Sequence, residues 1–166
     1  MTNSKQCQEL LKAIRQHFTY LFDTYGFAPV VCEEKIGGEY CLIALQSDQC
    51  KIKFHVERGI PECYFGTIKA PSTWQTEQRG VAGWYLVDPI IAFWARRKPE
   101  LAKPWPQKKG EWETDEILAA YSARLRPYVQ EIIAAFADDL ATEWWNEFGR
   151  EFEERVRARK NRQFAK

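Results

Sequence analysis

Two histidines and five cysteines are the side chains through which this chain of 166 residues could do acid–base or nucleophilic chemistry. His55 lies on a strand-like run beside Lys53 and Glu57. A His55–Glu57 pair, two residues apart and on one strand face, is the enzymatic arrangement that the spacing offers. Cys41, Cys50 or Cys63 would act as a nucleophile only beside a base and in an electropositive, partly exposed setting. No His-Glu-x-x-His, Gly-x-Ser-x-Gly, Gly-x-x-x-x-Gly-Lys or Gly-x-Gly-x-x-Gly occurs, and no Cys-x-x-Cys. The favoured reading is a solvated or covered sheet histidine and thiols that pack inward as small apolar groups. No catalytic residue, metal or cofactor is expected.

Two charged constellations suit binding better than catalysis. Asp139, Glu143, Glu147 and Glu151 recur every four residues and make an acidic stripe if helical. A carboxylate-bridged metal site would add a Glu-x-x-His, and none is present. The stripe is therefore a solvated face or an acidic contact surface for a basic partner. Arg96, Arg97, Lys98, Lys103, Lys108 and Lys109 are interleaved with Trp94, Trp105 and Trp112. Cations with exposed indoles can hold single-stranded nucleic acid by charge and stacking. Three prolines in the same stretch suit a strap whose tryptophans lie on the core, which is the favoured reading.

These groups are positioned by a strand cluster over residues 29–68. Gly37-Gly38 and Asp48-Gln49 read as two tight turns, and Gly59-Ile60-Pro61 as a third. The first turn sets Cys32 opposite Ile43 and Val30 opposite Leu45. The second sets Cys41 opposite Val56, Ile43 opposite Phe54 and Leu45 opposite Ile52. Both turns choose the same face of the middle strand, so Val30, Cys32, Cys41, Ile43, Leu45, Ile52, Phe54 and Val56 are the expected core. Lys51, Lys53, His55 and Glu57 form a reverse face expected to be wetter. A helix over residues 4–25 carries one apolar stripe of Cys7, Leu10, Leu11, Ile14, Phe18, Leu21, Phe22 and Tyr25, with Ser4 as cap and Gly26 as stop. It is expected to lie across the strands.

Beyond Ile68, residues 71–80 read as loop and 83–86 as a short extended piece. Asp88-Pro89 reads as a helix start with a capping carboxylate. The last third is helical, capped by Thr114, with a break at residues 124–126 because Pro127 cannot sit inside a helix. The expected fold is α+β: a four-stranded antiparallel β-meander packed by the N-terminal helix, with long C-terminal helices. Residues 1–98 make the α+β core, and 99–166 a strap and helical segment.

Basic and acidic residues nearly cancel, 24 against 23, so no global field selects nucleic acid or a membrane surface. No apolar run approaches the roughly 20 residues of a membrane span, and the first residues carry no leader pattern. Unpaired thiols without a disulfide framework lead to the expectation of a cytoplasmic protein. Trp144, Trp145, Phe148 and Phe152 are much apolar surface for a chain end, which leads to the expectation of a homodimer through the C-terminal helices.

Tyr25-Gly26-Phe27, Val56-Glu57-Arg58-Gly59 and Tyr85-Leu86-Val87-Asp88 fall within a helix–meander–helix order. Over residues 4–98 this order resembles small bacterial α+β proteins, some of them regarded as immunity proteins of polymorphic toxin systems. The resemblance implies an antidote that binds a toxin and does no chemistry, and it assigns no binding residues. The leading expectation is a non-enzymatic protein-interaction module, with Trp105, Trp112, Arg96, Arg97 and the acidic stripe as contact candidates. The alternatives are a nucleic-acid-binding module using residues 94–112 and the basic tail, and an enzyme using His55 with Glu57 or a cysteine.

Overall fold

The computed structural model describes residues 5–35, 40–72, 83–108, 110–137 and 150. The order of elements is α1 (Lys5–His17), α2 (Thr19–Asp23), β1 (Ala28–Lys35), β2 (Tyr40–Gln46), β3 (Cys50–Glu57), β4 (Ile60–Thr67), β5 (Trp84–Leu86), α3 (Val87–Arg97), α4 (Thr114–Leu125) and α5 (Val129–Ala137). The protein is α+β. Its strands form one antiparallel sheet in sequence order, and the sheet has five strands rather than four. The fifth is the extended piece before α3, which pairs Tyr64 with Leu86 and Gly66 with Trp84.

The β2–β3 register is as the turn residues dictate: Cys41 faces Val56, Ile43 faces Phe54 and Leu45 faces Ile52. All six side chains are buried. In β1, Cys32 faces Ile43, but a bulge between Pro29 and Val31 makes Pro29, not Val30, the partner of Leu45. Val30 is consequently exposed at the sheet edge. The third turn is Arg58-Gly59, not Gly59-Ile60-Pro61, since Glu57 pairs with Ile60. Both turn residues have positive φ, 48° and 83°, as a two-residue hairpin of this hand requires.

The N-terminal helix stripe packs on the sheet as its spacing predicts, with Cys7, Leu10, Ile14, Phe18 and Leu21 buried. Phe18 meets Phe54 edge-on, ring centroids 5.0 Å apart. The helix is not continuous, however. It breaks at Phe18, and the backbone carbonyl of His17 accepts the hydroxyl of Ser122 from α4 at 2.6 Å. Gly26, at φ 67°, then turns the chain into β1. The same core takes in α3, α4 and α5: Leu118, Leu125, Tyr128, Ile132 and Phe136 are buried in it, and Phe136 packs on Phe65 and Tyr85. The break at Pro127 is present as one 3₁₀ turn, Arg126–Tyr128, between α4 and α5.

Two expected caps act otherwise. Asp88 lies in the first turn of α3 but accepts from Tyr121 and Arg124 across to α4. Thr114 is the first residue of α4, not its cap: Glu113 precedes the helix, and its backbone N–H is accepted by the Glu116 carboxylate at 3.0 Å. Of the last third, helix is described to Ala137. Asp139, Glu143, Glu147, Glu151, the Trp144–Phe152 cluster and the basic tail lie outside the described residues, as does Lys109.

Candidate interaction cleft and the buried polar sheet face

The second sheet face is not wet. Leu42, Ala44 and Lys53 are fully buried and Lys51 nearly so. The Lys53 ammonium lies 4.8 Å from the centroid of the Tyr64 ring and 4.7 Å from that of Trp84. These are cation–π distances. Tyr64 is the β4 partner of Lys53, and Trp84 comes from β5 one strand further on. Burial pushes the Lys53 amine down to about 8, against the opposing charge of Glu62. Lys51 sends its amine to the Ala70 carbonyl at 2.7 Å and the Ser72 hydroxyl at 3.2 Å. A lysine's stem packs as an apolar group while its head finds partners, which is why two lysines can line an enclosed face.

His55 sits in this layer with 13 % of its side chain exposed. Its Nδ1 lies 3.8 Å from the carboxylate of Glu62 on β4. Glu57 instead accepts from the Tyr40 hydroxyl at 3.0 Å, and the Tyr40 ring stacks on His55. Glu62 is itself engaged by the Tyr64 hydroxyl at 2.6 Å. Burial holds the imidazole below its usual range, with Glu62 acting in the opposite sense.

Cys41, Cys50 and Cys63 point into the core, as the register requires. Burial pushes the Cys50 thiol up to about 12 and raises those of Cys41 and Cys63 further. A nucleophilic cysteine needs the reverse. Among the described residues, no group of three or more His, Cys, Asp or Glu is disposed to hold a metal ion, and no helix is long and apolar enough to cross a membrane.

The basic and Trp-rich stretch divides. Arg96 and Arg97 end α3 and are exposed. The Arg97 guanidinium lies over the Phe93 ring and donates to the Phe93 carbonyl at 3.2 Å. Lys98 is paired with Glu131, and Lys108 with Glu116 at 2.5 Å. Carboxylates thus neutralise two of the cations proposed for phosphate contact. Trp105 straps onto the core, edge-on to Tyr121 at 5.1 Å, with the Arg124 guanidinium over its ring at 4.5 Å.

Trp105 and Trp112 come together, ring centroids 6.2 Å apart and nearly perpendicular. They form one wall of a cleft of about 990 Å³. The lining also includes Arg58, Gly59 and Ile60 of the β3–β4 turn, Lys108, Glu111 and Glu113 beside the indoles, and Ile117 of α4. Thr114 pins α4 to the turn by donating its hydroxyl to the Gly59 carbonyl at 2.6 Å. Ile60 is 63 % exposed at the start of β4, a large apolar group held at the rim of a concave surface. The lining contains no His, Cys or Ser. Residues 58–60 were not legible as part of this site. The available signal was the Arg58-Gly59 hairpin with an isoleucine directly after it, but nothing local indicates that a strap 45 residues later closes on it.

Comparison with protein-family models, with curated proteins and with solved structures finds no match, so the geometry above is the ground for any functional reading.

Proposed function

We propose that this chain is a protein-interaction module that does no chemistry of its own and binds its partner through the Trp105–Trp112 cleft. The observation that carries the reading is the pairing of two indoles with the exposed Ile60 across a pinned concave surface. Interfaces draw their energy from a few aromatic and aliphatic anchors in such pockets. Among the charged groups that line it, Lys108 is paired with Glu116. An antidote of the toxin-immunity type would need no more than this.

The test is affinity capture from the source cells with the native chain and with Ile60→Asp, after matching their far-UV circular dichroism and melting. The reading predicts a protein held by the native chain and lost by the variant. Identical captures, or none, would overturn it. Ile60 is suited to the test because its exposure makes a folding defect small.

A further inference from the structure

The planes of Trp105 and Trp112 stand at 80° to one another with centroids 6.2 Å apart, so the two indoles make a near right-angled corner in the cleft. An indole face carries the negative lobe of the ring quadrupole and attracts a cation lying within about 6 Å of its centroid. Both rings already serve this way inside the chain. The Arg124 guanidinium lies 4.5 Å from the Trp105 centroid and bonds the Asp88 carboxylate at 2.5 Å. The Lys108 amine lies 5.9 Å from the Trp112 centroid and bonds the Glu116 carboxylate at 2.5 Å. Twice, then, the chain sets a cation between an indole and a carboxylate.

The charged groups that line the cleft repeat that pairing of indole and carboxylate. They are Arg58, Lys108, Glu111 and Glu113. Lys108 is held by Glu116, and Arg58 has a partner of its own. Glu113 accepts the backbone N–H of Glu116 in the capping box of α4. Glu111, next to Trp112 in the chain, is exposed and has no hydrogen bond or ion pair among the described residues. The charge that the lining presents without a counter-charge is therefore negative, and it stands beside two rings that favour cations.

We propose, resting on the reading that this cleft is the partner site, that its occupant is an arginine side chain of the partner protein, seated on the Trp105–Trp112 corner with Glu111 as its counter-charge. Arginine suits the site better than lysine. Its guanidinium is planar and weakly hydrated, stacks on an aromatic face and still bonds a carboxylate in its plane, whereas an ammonium holds its water. Its methylene stem packs as an apolar group, which gives Ile60 and Ile117 a surface to cover. Arg124, on Trp105 and Asp88, is the same arrangement made within the chain.

The test uses the full chain labelled with ¹⁵N and follows the indole N–H signals of Trp105 and Trp112. N-acetyl-arginine amide is added to one sample and N-acetyl-citrulline amide, its uncharged isostere, to another. The arginine compound should move both signals to saturation, and the citrulline compound should bind at least about fivefold more weakly. Glu111→Gln, at an exposed position where folding is not at stake, should weaken the arginine compound by about threefold. Equal affinity for the two compounds, no movement with arginine, or full affinity in Glu111→Gln would overturn the assignment. The two readings fail separately. A captured partner that Ile60→Asp loses, with equal affinity for arginine and citrulline, would sink the arginine and leave the partner site standing. Preferential arginine binding with no captured partner would leave the cation site standing and sink the partner.

Discussion

Arg124 and Asp88 join α4 to α3 through one short contact, Nη1 to Oδ1 at 2.5 Å, with only 13 % of the arginine side chain exposed. The other Asp88 oxygen accepts from Tyr121 at 3.1 Å, and the same guanidinium lies under Trp105. One carboxylate therefore fixes the helix pair and the strap that walls the cleft. Asp88→Asn keeps the shape and removes the charge. It should cost about 1–3 kcal/mol, the usual range for a charged hydrogen bond left half made. Urea unfolding followed by far-UV circular dichroism checks this.

Gly66 leaves no room for a side chain. A β-carbon there would lie 2.7 Å from the Ala70 β-carbon, 2.9 Å from Trp84 Cε3 and 3.1 Å from the Gly83 carbonyl. Gly66→Ala should destabilise by about 1–3 kcal/mol, as overpacking does. It should also alter near-UV circular dichroism, because Trp84 must move and Lys53 rests on its ring.

Lys53 gives a pH effect of defined sign. Its amine is lowered to about 8 in the folded chain, against 10.5 as the ordinary value. Between these limits the unfolded chain binds the proton and the folded chain does not, so this group adds stability as pH rises. Measured against Lys53→Met, the native chain should gain on the order of 2 kcal/mol between pH 7.5 and 10. Urea midpoints of both proteins at the two pH values check it. A constant difference would mean that the amine titrates normally.

The buried thiols act in the opposite direction. Cys63, wholly enclosed, has its thiol raised by burial and by the charge of Asp88. Above the ordinary thiol range the unfolded chain loses this proton and the folded chain keeps it, so stability falls as pH rises. Under reducing conditions Cys63→Ala should lessen that fall by about 1.4 kcal/mol per pH unit above pH 9. Its cavity cost is independent of pH and separates cleanly from the slope.

The register of β2 on β3 was legible because the short Asp48-Gln49 turn sets it, whereas Gly37-Gly38 lies outside the described residues. Ser47 holds that turn with its hydroxyl, which accepts the backbone N–H groups of Gln49 and Cys50 at 3.2 Å. The break at Pro127 was legible for a local reason too, since proline cannot complete a helix interior. The break at Phe18 was not. Its partner is Ser122, more than a hundred residues later, and no proline or glycine marks it. Alternation of residue type marked Lys51, Lys53 and His55 as outward. It could not show that Tyr64 and Trp84 would supply aromatic faces for the ammonium of Lys53. Of the contact candidates, Trp105 and Trp112 do meet, while Arg96 and Arg97 lie off the cleft.

The irregular start of β1 bears on how another molecule can approach. Pro29 offers no amide proton, the chain bulges before Val31, and Glu33 and Lys35 stand exposed along the same border. The opposite border, β5, is three residues long. Neither rim is a good template for an added strand, so lengthening of the sheet by a foreign segment is disfavoured on both sides. Recognition is left to side-chain surfaces, where shape and anchor residues decide who fits.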